Sequence, residues 1–382
     1  MTDVLELFSG IGVIIDDAFE HKNDDIIYKI KESFEKKNIP ILTFYKLPEL
    51  SMVTHFKNVS FIILDWNLTE TPSVPEAVIQ DIIEFIKKVN SYAYLPLFIF
   101  SNEAPNHIIL KLEEANIYLK NIFVKQKQEL KTSRQLFSFI KKWIKETPSI
   151  YVLKKMEASV LKSKNDLFWD FQNINSDWVY ILQKTITSDG ADANIDLLNI
   201  LFKNLIARTN YTEFNMPPKR IKNTNLKKDI RKVLECERFL TKNLPDNPCF
   251  GDIFKTTNNG NISYLLNIRP DCDIIRGEDK TELYCLKGRV VDETKINNKS
   301  KDAIKFEKGS FINKITNTYI PFIDNGLIIE FLFYDLKIKK WKDIKNDRIG
   351  RLLPPYITRV QQNYSLYSQR QGLPSIPEKA IK

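Results

Sequence analysis

Histidine, cysteine and glycine are scarce in this chain, and the first two shortages exclude whole classes of site. The 382 residues include 3 His, 4 Cys and 11 Gly. No histidine follows His107, so the rest of the chain has no Ser-His or Cys-His hydrolase site of its own. No two cysteines form a CxxC pair, which gives a zinc site no support and favours reduced, partly buried thiols. P-loop, HExxH and GxSxG motifs are also missing.

Long apolar runs are missing as well. The longest ones have the length of a strand, far short of the roughly 20 residues that a membrane helix needs. The first residues carry acids where a signal peptide needs a basic segment, so we expect a cytoplasmic protein without a membrane partner. With 43% hydrophobic and 12% aromatic residues the chain can bury real cores, and its length predicts two or three domains.

The net charge of +9 is unevenly distributed. Residues 337–382 carry seven Lys and four Arg against three acids, a balance of +8, and residues 219–232 form a second basic run. Such clusters bind nucleic acid or an acidic protein, and they also occur as solvated faces. Both interpretations stay open from the sequence.

Strands and helices alternate strictly through the first third of the chain. Five apolar segments, each followed by a helical or loop segment, predict a parallel sheet that is covered on both faces. The rest of the chain has a different pattern, first helical and then rich in strands, with a closing helix. We therefore expect an α/β domain at 8–147, a helical linker or output domain at 148–245, and a β-rich domain at 246–382. The last is expected to be a small β-barrel or sandwich with a basic C-terminal helix.

Four of the predicted strands end on side chains that phosphoryl chemistry uses. Asp16 and Asp17 follow the first strand, Asp65 follows the third, Ser101 follows the fourth, and Lys125 follows the fifth. The carboxyl ends of parallel strands line one crevice, so we expect these groups to meet there. Carboxylates are the ligands that Mg²⁺ prefers, and a hydroxyl and an ammonium can stabilise phosphoryl oxygens.

This set of residues resembles the receiver domain of two-component response regulators, over about residues 8–147. The resemblance implies a flavodoxin-like fold of five parallel strands in the order 2-1-3-4-5. It also implies that Asp65 is the phosphoacceptor and takes its phosphoryl group from a kinase histidine. Asp16, Asp17 and Asp65 are then expected to hold Mg²⁺. Ser101 and Lys125 are expected to sense the phosphoryl group, and Ser101 also serves as a switch residue.

The same resemblance assigns two more positions and shows two departures. Asn67 is expected to offer its backbone carbonyl to the metal, and Phe123 is the aromatic switch residue two places before the lysine. Gln126 stands where receivers usually have proline, and the proline expected soon after the acceptor is displaced to Pro72 or Pro75. These departures concern loop geometry and leave every reactive group in place.

The whole chain also resembles response-receiver proteins of bacterial conflict loci, which lie beside histidine-kinase-like ATPases and are linked to phage defence. The grounds are the N-terminal receiver pattern, the turn at residues 270–273 and the closing stretch at residues 348–374. This resemblance implies a histidine kinase or kinase-like ATPase as a partner, a downstream effector protein, and a role in antiviral defence.

Two other functions are compatible with the sequence. The first is a non-phosphorylated pseudo-receiver scaffold that binds an ATPase or nucleic acid through the basic C-terminal region, with Arg348, Arg351, Arg359 and Arg370 as partner or anion contacts. The second is an enzyme in the β-rich part that uses residues 271–273, Asp-Cys-Asp, for which no base is evident. Beyond transfer of a phosphoryl group to and from the chain itself, no separate catalytic domain is indicated.

Overall fold

The computed structural model divides into two compact units, residues 1–178 with 200–219 and residues 179–199 with 220–382. The described residues are 8, 10–21, 26–69, 71, 74–117, 119–188, 193–209, 214, 226–258, 260–274, 281–292, 294, 312–313 and 316–370.

The first unit is built on a five-stranded parallel sheet in the order β2-β1-β3-β4-β5, as the sequence predicted. Ile15 lies opposite both Phe44 and Leu64, so the carboxyl ends of the three neighbouring strands are level. Most strand residues are Val, Ile, Leu or Phe, which suits strands that are buried on both faces. The strands are β1 (Ile11–Ile15), β2 (Ile41–Phe44), β3 (Val59–Leu64), β4 (Leu97–Ser101) and β5 (Ile122–Gln126).

Helices cover both faces of this sheet and create two cores. Trp66 and Ile82 lie in the core on one face, and Phe98 and Ile140 lie in the core on the other. Thr132 begins α5 with a capping box, in which its side chain accepts from the Gln135 amide. The helices are α1 (Ala18–His21), α2 (Ile26–Glu35), α3 (Glu76–Tyr92), α4 (Pro105–Glu114), α5 (Ser133–Glu146) and α6 (Pro148–Ile174), with a 3-10 turn at Met52–Asn58.

The beginning of α6 is packed into the first unit. Ile150 is fully buried in the core beneath α5, and the Lys154 ammonium donates to the Ser60 hydroxyl at 3.4 Å. The first turns of α6 therefore belong to the same core as the sheet. The division into three domains expected from the sequence stays a prediction.

The second unit contains an eight-stranded antiparallel sheet in the order β10-β11-β12-β9-β8-β7-β13-β6. The sequence indicated the strands at 252–258, 261–267, 282–290 and 327–340 and the C-terminal helix, but it did not indicate the other four strands. The strands are β6 (Phe239–Leu240), β7 (Asp252–Asn258), β8 (Asn261–Asn267), β9 (Glu282–Val290), β10 (Ile312–Asn313), β11 (Asn317–Ile323), β12 (Leu327–Lys340) and β13 (Arg348–Leu352). Among the described residues, the remaining helices are α7 (Trp178–Ser188), α8 (Ala193–Arg208), α9 (Leu226–Arg238), α10 (Asp271–Ile274), α11 (Trp341–Ile344) and α12 (Tyr356–Ser368).

One close backbone approach fixes how the end of the chain meets the second sheet. Gly251 has a φ of +91°, and a Cβ atom there would lie 2.3 Å from the carbonyl oxygen of Leu352. Only glycine fits both the torsion and the space. Beyond Leu352, α12 packs Ile357 and Val360 into the core of this sheet. Among the described helices, none combines the length and the apolar character that crossing a bilayer requires.

Candidate metal centre

Three carboxylates meet at the carboxyl edge of the parallel sheet. Asp16 and Asp17 follow β1, and Asp65 follows the adjacent strand β3, where its N–H donates to the Ile15 carbonyl at 2.9 Å. One ligand oxygen from each carboxylate lies within 4.8 Å of the others. Asp16 is fully buried and Asp65 is 5% exposed, so water screens these charges poorly.

The ammonium that joins them belongs to Lys127. Its Nζ lies 2.7 Å from Oδ2 of Asp16 and 2.7 Å from Oδ2 of Asp65, and its side chain is 2% exposed. The sequence predicted Lys125 beside these carboxylates, but Lys127 lies there. The Nζ of Lys125 instead lies 2.6 Å from Glu129 and 4.5 Å from the centre of the Phe139 ring.

The extent of β5 explains why Lys127, and not Lys125, lies beside the carboxylates. The predicted strand stopped at Val124, but β5 continues to Gln126, so the first residue beyond its end is Lys127. Lys125 lies within the strand opposite Phe100, and its contact with Phe139 places its side chain against α5. A side chain held on that face does not contact the carboxylates at the sheet edge. Lys127 was visible in the sequence, but choosing it over Lys125 required knowing that the strand ends at Gln126.

Burial controls the protonation of the cluster. Loss of hydration, with the nearby charge of Asp65, raises the pKa of Asp16 to about 7 although Lys127 opposes the shift. Burial also raises the pKa of Asp65, again against the ammonium. Burial alone would lower the pKa of Lys127, but the charges of Asp65 and Asp16 outweigh it and raise that pKa. The lysine therefore stays charged at neutral pH.

The charges and donor atoms of this cluster fit a hard divalent cation. Three carboxylates and one ammonium leave a formal balance of −2, which one divalent ion neutralises. Oδ2 of Asp16 is buried and receives no well-directed hydrogen bond from the part of the chain that is described, although it contacts the Lys127 ammonium. Oxygen donors of this kind suit Mg²⁺ and similar ions. Asp16, Asp17 and Asp65 are the residues that would hold it.

The loop after Asp65 is hydrogen-bonded to the Asp65 carboxylate. The Asn67 N–H donates to Oδ1 of Asp65 at 3.2 Å, and Oδ1 of Asn67 accepts from the Thr69 hydroxyl at 2.7 Å. Asn67 is thus beside the cluster, as expected, while the role of its carbonyl as a metal ligand stays a prediction. Pro75 directly precedes α3, and Pro72 lies outside the described residues.

Ser101 and Phe123 occupy neighbouring strands. Ser101 is the last residue of β4 and is fully buried, and its Oγ accepts from the Glu103 N–H at 3.3 Å. The ring of Phe123 lies 5.7 Å from Trp143 and 6.4 Å from Phe100, so it is part of the aromatic core beneath α5. Their roles as switch residues stay predictions.

Two of the arginines that were expected to contact a partner turn inward instead. Arg351 donates through Nε to Oδ1 of Asp252 at 2.9 Å, and Arg348 donates to Oδ2 at 3.3 Å. Asp252 is fully buried, and burial raises its pKa although Arg351 opposes the shift. Both guanidiniums therefore pair with a buried carboxylate inside the second sheet, and their role as partner or anion contacts stays a prediction. Both lie on β13, the strand that precedes α12.

The remaining predicted contacts lie on or near the surface. Arg359 is exposed on α12, and Arg370 is exposed with its guanidinium 4.2 Å from the centre of the Tyr367 ring. Asp271 accepts the Phe250 N–H at 2.7 Å, which gives it a structural use. The side chain of Cys272 lies outside the described residues, so the structure adds no support for an enzyme in this turn.

Comparisons with known proteins give this chain no family. No family model matches it, and no curated protein matches it. One similar solved structure is a yeast Spc42 trimeric coiled-coil segment fused to another protein structure. It is 10% identical, covers 43% of this chain and 96% of its own, and has a TM-score of 0.28. That score is too low to carry an argument.

Proposed function

We propose that the first unit is a receiver-type phosphoacceptor in which Asp65 takes a phosphoryl group in the presence of Mg²⁺. The observation that carries this proposal is the position of Lys127, whose ammonium lies 2.7 Å from both Asp65 and Asp16 beside a third carboxylate. The strand order 2-1-3-4-5 and the placement of each group at the carboxyl edge of the sheet support it. Burial of charged groups costs desolvation free energy, which Lys127 offsets in part by pairing with Asp16 and Asp65.

The proposed chemistry is an in-line displacement. An oxygen of Asp65 bonds to phosphorus as the bond from phosphorus to the donor's histidine nitrogen breaks, and that nitrogen keeps the electron pair and takes up a proton. A bound Mg²⁺ would supply positive charge for the phosphoryl oxygens. Lys127 can then exchange its contact with Asp65 for one with a phosphoryl oxygen, since a single ammonium offers three donors. Ser101 would donate to another oxygen.

In this proposal the phosphoryl group acts as a signal. It adds about −1.5 to −2 charge by analogy with other phosphorylated side chains, beside carboxylates that one ammonium neutralises only in part. We infer that Lys127 and the residues at 66–69 move in response and that residues 148–382 pass the change to a partner protein. A histidine kinase or kinase-like ATPase as donor, an effector as receiver, a role in phage defence and a cytoplasmic location belong to this proposal.

Intact-mass measurement tests the phosphoacceptor directly. The chain is incubated with acetyl phosphate, with Mg²⁺ or with EDTA, and we expect one added phosphoryl group only with Mg²⁺. Asp65→Asn should abolish the addition. Asp81→Asn, which changes an exposed carboxyl on α3, is the matched control and should behave as wild type. Addition to Asp65→Asn at the wild-type rate would reject the proposal.

Fluorescence gives a second readout. Trp66 directly follows the acceptor, is fully buried, and its indole N–H has no hydrogen-bond partner within the described residues. Beryllofluoride with Mg²⁺, which imitates a phosphoryl group, should therefore change the tryptophan emission of wild type and leave Asp65→Asn unchanged. Equal responses from both proteins would contradict the proposal.

One observation favours the scaffold alternative. Both oxygens of Asp65 already have partners, because Oδ1 accepts from the Asn67 N–H and Oδ2 from Lys127. A pseudo-receiver closed in this way predicts that Asp65→Asn keeps its partner and its cellular function. Loss of cellular function in Asp65→Asn, with a melting temperature equal to wild type, would discard the scaffold.

A further inference from the structure

The second unit contains a cavity of about 1010 Å³ between helix α9 and the hairpin that joins β11 to β12. It is lined by α9, by the residues that follow α9, and by the hairpin tip at Asn325 and Gly326. Ligand sites for small molecules usually measure about 300–1,000 Å³, so a nucleotide-sized molecule fits. The site proposed for phosphoryl transfer lies in the other unit and shares no residue with this cavity.

The lining of the cavity is strongly basic. Arg231 and Lys232 lie three and four residues after Lys228, which places both beside it on α9, and Lys242 adds a fourth cation. Within the described residues, no ion pair joins Lys228, Lys232 or Lys242 to a carboxylate. One carboxylate, that of Glu235, also lines the cavity, which leaves a formal balance of +3.

That one carboxylate is already used by the hairpin. Its Oε1 accepts the Asn325 N–H at 3.0 Å, and its Oε2 accepts the Gly326 N–H at 2.6 Å. Asn325 and Gly326 have φ values of +65° and +79°, and successive N–H groups in such a turn form a concave anion site. Asp324 beside them is engaged by Lys255 and Tyr264, both at 2.8 Å. Glu235 thus holds α9 to the hairpin, and the lysines keep their charge for another anion.

Part of the lining of the cavity is apolar. Phe239 is 3% exposed and Leu240 is half-buried, and both line the cavity together with the hydroxyl of Thr241. A simple inorganic anion has no use for such a surface. A ligand with several negative charges on one part and a flat apolar ring on another uses both kinds of lining.

We infer that this cavity binds nucleoside phosphates, either as free nucleotides or as part of a single-stranded nucleic acid. The cations of α9 and Lys242 contact the phosphates, and a base lies against the apolar surface formed by Phe239 and Leu240. Nucleotide and nucleic acid share this chemistry, and the two arms of the experiment distinguish them. The inference is independent of the proposed phosphoryl transfer at Asp65.

Binding is measured by calorimetry with ATP and with inorganic triphosphate, and by fluorescence anisotropy with a labelled ten-nucleotide dT strand. We expect ATP or the strand to bind. The triple variant Lys228→Glu, Lys232→Glu and Lys242→Glu should weaken binding roughly tenfold or more. For the strand, it should also reduce the slope of log K against log salt concentration by about two. The matched control is Lys340→Glu, Lys342→Glu and Lys345→Glu, which changes the charge equally at exposed lysines outside the cavity.

Binding of neither probe, or an equal loss in the control, would overturn the inference. Inorganic triphosphate bound as tightly as ATP, without strand binding, would overturn the assignment of a nucleoside. Cys236 gives a measurement on the wild-type chain, because its exposed thiol lines the cavity. Saturating ATP or dT strand, whichever binds, should slow alkylation of Cys236 about fivefold or more, while the partly buried Cys249 reacts as before. An unchanged rate at Cys236 would contradict binding here.

Discussion

Replacing Lys127 by methionine is the sharpest test of the cluster at the sheet edge. The substitution keeps the length and the apolar part of the side chain and removes the ammonium that lies 2.7 Å from each of two buried carboxylates. Breaking a buried ion pair from one side costs about 3–5 kcal/mol, because a charge is left without compensation. Asp16, whose pKa burial raises to about 7, can take up a proton, so we expect a loss near the lower end of that range at neutral pH.

The matched control is Lys125→Met, two residues earlier. The pair of Lys125 with Glu129 is partly exposed, with 22% and 42% of the side chains accessible, and such pairs contribute about 1 kcal/mol or less. Urea unfolding followed by tryptophan emission measures both variants, since Trp66 and Trp143 are buried in this unit. Equal loss of stability in the two variants would refute the assignment of Lys127.

Added Mg²⁺ extends the same experiment. Without the ammonium, three carboxylates face one another, and a ligand that binds the folded state stabilises it by about 2.7 kcal/mol at one hundred times its dissociation constant. We therefore expect Mg²⁺ to restore more stability to Lys127→Met than it adds to Lys125→Met. Mg²⁺ without effect on either variant would show that the cluster does not hold this ion.

Three further predictions concern the second unit. Burial opposes ionisation of Glu330, but the hydrogen bonds that it accepts lower its pKa below 4.5. The stability that its charge contributes is therefore present above pH 4.5 and is lost as the pH falls below that value. In urea unfolding, the difference in free energy of unfolding between wild type and Glu330→Gln should be smaller at acid pH than at about pH 7. Arg351→Gln should lower stability by about 1.5–3 kcal/mol because its buried carboxylate partner loses a charged hydrogen bond, whereas Arg359→Gln should unfold as wild type. Gly251→Ala should unfold far more easily than Gly260→Ala, since both have positive φ but a Cβ meets nothing within 4 Å at Gly260; equal melting temperatures would refute this reasoning.

Much of the first unit followed from local sequence. Continuous Val, Ile, Leu and Phe segments are the mark of strands buried on both faces, and their alternation with helices requires parallel pairing. Polar residues directly after such strands lie at the carboxyl edge whatever the details of packing. For that reason Asp16, Asp17 and Asp65 could be placed together before any geometry was known, and the strand order implied by the family resemblance was confirmed.

What the sequence could not decide was which of several similar side chains reaches a given place. A strand that continues two residues further exchanges Lys125 for Lys127, because backbone register and not residue type sets the position relative to the sheet edge. From the sequence, Arg348 and Arg351 were predicted to lie on a basic surface. The pairing of β13 with β7 places them against Asp252, which lies 96 and 99 residues earlier in the chain. Composition and periodicity determined most helices and strands of the first unit and the residue types at the ends of its strands. Strand pairing between residues distant in sequence decided which charges are buried together and which remain for a ligand.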